Sequence, residues 1–306
     1  MRPGWVAGSV RARLLADRRV AGAGARSLAA AGEVRSAVAV VAASPYGRDV
    51  HDGMSLVDAQ RGVRATALWH LRVLAGWLPP GGSDVVRMLA GGHEIANIEA
   101  HVDELAGALP TMPFDLGALA TAWPRVRAAR SIGEVRAALA MSPWGDPGSS
   151  ERAVFAASLR VAWARRITER IPELRRWAAT GAAVVIAGER FGHGRELSTT
   201  AAIDAGRLLG PGWAGANFRS FIEGLPADTR WVFAEVSEER DAWRAGTTYW
   251  RRLGDEAARQ TRRARDGEAA VAWSAVLLLC DARRVCAALE AAAWGPAALE
   301  AFDAVA

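Results

Sequence analysis

Lysine is absent from all 306 residues, so the 38 basic side chains are arginines. That excludes a P-loop, which needs a lysine on the phosphates, and any pyridoxal or aldolase-type Schiff base, which needs a lysine amine. Cysteine is nearly absent: Cys280 and Cys286 are the only two, too few for a disulfide framework or a four-thiolate zinc site, and their scarcity points to an intracellular protein. Long apolar runs are missing. Arg11, Arg13, Arg18 and Arg19 follow the Met1-Arg2-Pro3-Gly4-Trp5 start, which leaves no stretch of signal-peptide type. The uncharged run Ala269 to Cys280, bounded by Glu268 and Asp281, falls short of the ~18 residues that span a bilayer, so a soluble chain is expected. Also lacking are period-2 strand patterning, a nucleophile elbow, His-Glu-x-x-His, and an aspartate-rich cluster for magnesium.

What is present describes a folded, helical protein. Hydrophobic residues make up 51% and charged residues 23%, a globular balance. The length allows two domains or one repetitive body. The 33 acidic residues leave a net charge of only +5, and the pI of 10.3 overstates basicity because arginine stays charged to high pH. Nucleic-acid binding is therefore not inferred. Abundant Ala, Arg, Gly and Trp with no Lys is the usage of a GC-rich coding sequence, which makes arginine at the surface weakly informative.

Apolar residues recur at helical steps in Leu56, Val63, Ala67, Leu71, Leu74 and Leu78, after a Ser55/Asp58 cap and before Pro79-Pro80-Gly81-Gly82. Phe155, Leu159, Trp163 and Ile167 repeat the pattern between Pro147-Gly148-Ser149-Ser150 and Pro172. The runs Val38-Ala39-Val40-Val41 and Val184-Val185-Ile186 have alanine-rich flanks and are expected to be buried helix.

The chain repeats itself. Gly32-Glu33-Val34-Arg35 leads to Ser44-Pro45-Tyr46-Gly47, and Gly133-Glu134-Val135-Arg136 leads to Ser142-Pro143-Trp144-Gly145, with Ala25-Arg26-Ser27 and Ala129-Arg130-Ser131 upstream. On this match the first copy carries three extra residues, close to one helical turn. Asp228-Thr229-Arg230-Trp231-Val232-Phe233-Ala234 reads as a degraded third copy without its Ser-Pro turn. A second marker, an apolar helix reaching an acidic residue, recurs at Glu94, Glu189 and Asp281. Three copies of one helical unit, each burying its face on a neighbour, are expected.

Several residues invite chemistry. His93, Asn97 and His101 share a helical face near Glu94 and Glu104, but a hydrated polar face explains them better than a metal site. Gly22-Ala23-Gly24-Ala25-Arg26-Ser27 imitates part of a phosphate loop without the preceding strand, and a helix-connecting turn is expected there. The run Arg259-Gln260-Thr261-Arg262-Arg263-Ala264-Arg265 reads as a solvated face, with Asp255 and Glu256 just upstream, Asp255 one turn before Arg259, to offset part of the charge within the helix. Tyr46 and Trp144, in the repeated Pro-aromatic-Gly turns, are expected to be exposed contact residues.

Over essentially its full length the chain resembles the C-type stalk component of V/A-type rotary ATPases, designated d in the eukaryotic vacuolar enzyme. The resemblance rests on the arginine-bearing first helix Val10-Arg11-Ala12-Arg13-Leu14-Leu15, the two Ser-Pro-aromatic turns, the acidic-then-Asn helix His93-Glu94-Ile95-Ala96-Asn97-Ile98-Glu99, and the closing Asp281-Ala282-Arg283-Arg284-Val285. Arg284 stands where the family pattern has Asn, and the second repeat has no Asn after Glu189.

The resemblance implies an all-α, funnel-like assembly of three pseudo-symmetric repeats, 1–108, 109–198 and 199–306. It also implies a non-catalytic component of the central stalk, cytoplasmic and peripheral to the membrane. Such a protein joins the soluble shaft to the membrane proteolipid ring for ATP-linked proton or sodium transport. No cofactor, metal, nucleic acid or small-molecule substrate is implied, and Asn97, Arg283 and Arg284 join Tyr46 and Trp144 as interface positions. The readings set against it are an all-helical enzyme with an unrecognised site and a basic helical scaffold for nucleic acid.

Overall fold

The computed structural model describes residues 3–295 and 297–305, and every regular element among them is helical. The longer elements are α1 (Pro3–Asp17), α2 (Ala21–Ala29), α3 (Val34–Ala42), α4 (Leu56–Ala75), α5 (Gly82–Leu89), α6 (Gly91–Leu105), α7 (Trp123–Val126) and α8 (Ile132–Ala140). They continue with α9 (Arg152–Arg170), α10 (Arg175–Ala187), α11 (Thr199–Leu209), α12 (Phe218–Gly224), α13 (Trp243–Arg263), α14 (Glu268–Trp294) and α15 (Ala298–Val305). None of the described helices is long and apolar enough to cross a membrane. The chain divides into two compact units, residues 1–86 with 250–306, and residues 87–249.

The capping chemistry places the helix ends. Ser55 accepts the Asp58 amide at 3.1 Å, Ser131 accepts that of Glu134 and Ser198 that of Ala201, each satisfying an amide the first turn leaves orphaned. The apolar i, i+4 rows land as their spacing predicts: Val63, Ala67, Leu71 and Leu74 are buried on α4, and Phe155, Leu159 and Ile167 on α9. Trp163, in the same row, is half-buried and gives its indole N–H to the Met88 carbonyl at 2.7 Å. Val38 and Val41 lie on α3 and Ile186 on α10, so both alanine-flanked runs are helix.

In the first unit α14 is the element the others pack on: α1, α2, α3, α4 and α15 all lie against it. Its alanines at 270, 272, 275, 282, 288, 291 and 292 are buried and let neighbouring helices approach closely. Leu28, Val38, Val41, Val63, Val285, Leu289 and Phe302 fill the space between. In the second unit α9 has that position, against α6, α10 and α11. One core joins Ile95, Ile98, Val135, Leu139, Phe155 and Leu159. Another is built on Ile186, Leu209 and the edge-to-face rings of Phe218, Phe221 and Phe233.

Three expectations need correction. Gly22 to Ser27 lies inside α2, not in a connecting turn. The Gly-Glu-Val-Arg match is out of register: α3 and α8 each have nine residues and each ends two positions before its Ser-Pro turn, so Val34 corresponds to Ile132 and the first copy has no extra helical turn there. The charge of Arg259 is offset within its helix, but by Glu256 three residues before it at 2.7 Å in place of Asp255 at four.

Candidate functional site

Ser44 and Ser142 fold their turns by the same three bonds. Ser44 Oγ donates to the Val41 carbonyl at 2.6 Å and accepts the Tyr46 amide at 3.2 Å, and the Gly47 amide reaches the Ser44 carbonyl at 3.0 Å. Ser142 Oγ donates to Leu139 at 2.7 Å and accepts the Trp144 amide at 3.2 Å, and the Gly145 amide reaches Ser142 at 3.2 Å. The prolines fix φ and the serines satisfy the helix end, so each turn aims its aromatic ring back under the preceding helix.

Both rings therefore point inward. Tyr46 is 4% exposed and Trp144 2%, which overturns the expectation that they are surface contacts. Each delivers its one polar hydrogen to a buried carboxylate. Tyr46 Oη donates to Asp281 Oδ2 at 2.9 Å, and Trp144 Nε1 donates to Glu94 Oε2 at 3.0 Å.

Those carboxylates have a second task. Asp281 accepts the amides of Val20 at 3.0 Å and Ala21 at 2.8 Å, the entry to α2. Glu94 accepts the amides of Thr121, Ala122 and Trp123 at 2.7, 2.7 and 2.8 Å, the entry to α7. The local sequence explains why. Val20 and Ala122 occupy the two N-cap positions, and neither side chain can accept a hydrogen bond. A remote carboxylate supplies what Ser, Thr, Asn or Asp would ordinarily supply, with the added attraction of negative charge for a helix N-terminus.

The electrostatics follow. Burial pushes the Tyr46 phenol well above its usual range, reinforced by the Asp281 charge and the hydrogen bond to it. The Arg166 guanidinium lies 4.3 Å over the Trp144 ring, and burial lowers its pKa against the opposing pull of Glu94. Arg166 and Glu94 thus balance charge with the indole between them.

The segment around Glu189 is built differently. Glu189 lies in a widened turn, Gly188–Gly192, and accepts from Arg195 Nε at 2.8 Å. Phe218 opens α12 behind its own capping box of Asn217 and Ser220, so a distant acid has no cap to provide. Arg230 lies in a short 3₁₀ turn, Arg230–Phe233, and donates to the Leu225 carbonyl at 2.6 Å.

The remaining predicted positions do not gather with Tyr46 and Trp144. Asn97 is buried and clasps the Phe114 backbone, donating to its carbonyl at 2.9 Å and accepting its amide at 2.7 Å, which ties α6 to a loop. Arg283 is exposed and stacks 4.8 Å over Trp250; Arg284 is half-buried beside Gly254. His93 packs edge-on against Phe114, while His101 Nε2 lies 3.0 Å from the Ala129 carbonyl. Among the described residues no three His, Cys, Asp or Glu side chains are grouped to hold a metal ion.

Sequence reasoning found the two turns and the two acids as separate markers and did not join them. The missing N-caps at the starts of α2 and α7 were the available signal. The arrangement defines an all-helical protein whose helix ends are tied by two saturated carboxylate nodes, suited to fixing geometry. No family model matches the chain, and no curated protein matches it.

Proposed function

We propose that this chain is the central-stalk adapter of a V/A-type rotary ATPase, the C-type component of the rotor. In this reading it comprises three pseudo-symmetric helical repeats, 1–108, 109–198 and 199–306, closed into a funnel. It joins the soluble shaft to the proteolipid ring without catalysing a reaction, and it sits peripherally on the cytoplasmic face through the complex. The third repeat is a diverged copy in which the Asn217 cap replaces the buried acid.

The observation that carries this reading is the duplicated node: the same serine-stapled turn, the same inward aromatic donor and the same remote carboxylate cap, once at Tyr46 and Asp281 and again at Trp144 and Glu94. Duplication of a unit at this level of detail is what a repeat-built adapter requires. A spacer that carries torque also needs helix ends that do not splay. A buried carboxylate taking three or four hydrogen bonds is costly to break and resists that motion.

The test is reconstitution. ATPase complexes lacking this chain are expected to hydrolyse ATP with ion pumping lost, and adding the chain back restores pumping. Its failure to co-purify with the shaft proteins or the ring, or pumping that is unchanged by its removal, overturns the proposal.

A further inference from the structure

The net charge is not shared between the two units. Residues 1–86 and 250–306 hold nineteen arginines against fourteen acids, the whole +5 of the chain, whereas residues 87–249 hold nineteen of each. Part of this excess lies around one side chain of the first unit, His70 near the end of α4.

His70 is held down first by its burial; Arg11 on α1, Arg18 in the turn just past its end and Arg48 after the Ser-Pro-Tyr-Gly turn add to this, and the opposing carboxylate is Asp49. Asp49 is already engaged, accepting the Thr66 hydroxyl at 2.8 Å and lying 3.5 Å from Arg48 Nε. Three guanidinium charges and one already committed acid thus act on the same imidazole. Two donor positions are left over as well: Arg11 Nε and His70 Nδ1 are buried and have no hydrogen-bond partner among the described residues. Buried polar atoms are nearly always satisfied, and an orphan calls for an explanation, an ion or a water among them.

The cluster is also held in place. Arg48 stacks 4.3 Å over Trp69, whose ring is 5.1 Å from that of His70, and Arg11 lies 5.9 Å from the Trp77 ring centre. Stacking fixes a guanidinium plane while leaving its N–H edge available, the presentation that binds oxyanions in bidentate fashion. A water satisfies such atoms but leaves the positive charge, which an anion offsets.

We propose that Arg11, Arg18, Arg48 and His70 form a binding site for a phosphate-type oxyanion. The anion is held by the arginine edges and accepts a hydrogen bond from the imidazole, which takes up a proton as it binds. The same chemistry is offered by a dissolved phosphate or diphosphate and by the phosphate of a lipid headgroup.

The experiment titrates the full chain with pyrophosphate, and separately with vesicles of phosphatidylcholine with and without phosphatidate, while the His70 ring protons are followed by NMR. Without an anion, burial first and the three guanidinium charges second push the His70 imidazole down to about 4. Saturation is expected to move that midpoint upward, and Arg18→Gln, an exposed residue whose loss spares the core, is expected to weaken binding about tenfold, the loss of one charge-assisted hydrogen bond. Arg11→Gln should do the same. A response to pyrophosphate assigns the site to a dissolved anion. A response confined to phosphatidate vesicles, with the same sensitivity to Arg18→Gln, assigns it to a lipid headgroup. If neither probe moves the His70 midpoint, or if Arg18→Gln binds as well as the parent, the site does not exist.

Discussion

The Tyr46 hydroxyl donates to Asp281 at 2.9 Å across 235 residues of chain, and the same carboxylate holds the first amides of α2. One side chain on α14 thus fixes both a turn and a helix start, so variants of the two partners should differ in cost. Tyr46→Phe removes one donor and leaves Asp281 with two, for an expected loss of about 1–2 kcal/mol. Asp281→Ala strands a phenol and two amides in the interior and should cost about 3 kcal/mol or more. Urea unfolding of both variants measures this, and equal losses would mean that the cap contributes nothing.

At the second node Glu94 accepts three backbone amides and one indole. Glu94→Gln keeps the shape but turns an NH2 group toward donors, an expected cost of about 2–4 kcal/mol. Trp144→Ala should cost more, about 3–5 kcal/mol, because a 2% exposed ring leaves a cavity and Arg166 loses the surface it stacks on. Thermal unfolding read by circular dichroism gives the order, and a smaller loss for Trp144→Ala than for Glu94→Gln would place the energy in the hydrogen bonds and not in the packing.

The helices were legible because periodicity and caps are local: Ser55 announces α4, and Leu71 and Leu74 mark its buried face. The nodes were legible only in halves. Tyr46 and Trp144 were visible as a repeat, but a Pro-aromatic-Gly turn has the composition of an exposed loop, and nothing local says that the ring folds under its own helix. Asp281 and Glu94 stood out as acids in apolar helices. Their partners lie 260 and 27 residues away at Ala21 and Thr121, and single-sequence patterns do not carry pairings of that kind. Gly-Glu-Val-Arg misled for a related reason, since identity of four residues outweighed the structural anchor, which is the distance back from the serine.

Alkaline pH should act through Tyr46. Its folded pKa is raised above the unfolded value near 10, so its contribution to stability is fully present below pH 10 and is lost as pH rises through the higher folded value. Stability of the parent should therefore decline above pH 10 by an amount that Tyr46→Phe abolishes. The comparison is a pair of denaturation midpoints taken at pH 8 and pH 11, and identical declines in the two proteins would assign the effect elsewhere.

Ala21 is the one non-glycine residue among those described with a left-handed backbone, at φ 60, and it sits where Asp281 grips the start of α2. A side chain in that region costs about 1 kcal/mol relative to glycine. Ala21→Gly should raise stability by about that amount, and Ala21→Val should lower it by about 2 kcal/mol because a β-branched residue fits the region worse. Chemical denaturation of the pair decides this; destabilisation by glycine would show that the flexibility added to the unfolded chain outweighs the relieved strain.

The two turn glycines are shared by the copies for different physical reasons, and alanine should separate them. A Cβ on Gly47 would stand 2.0 Å from the Ala42 carbonyl oxygen, backbone that cannot rotate aside, so Gly47→Ala must open the turn and pull Tyr46 from Asp281. The expected cost is about 2–4 kcal/mol, within the range for overpacked interiors that also lose a buried hydrogen bond. Gly145 has open space around its Cα but a φ of +76, so Gly145→Ala meets only backbone strain, about 1 kcal/mol. Asparagine tolerates that conformation, and Gly145→Asn should recover most of the loss while Gly47→Asn should recover none. Denaturation midpoints of the four variants test this together, and equal costs for the two alanines would mean that one mechanism governs both turns.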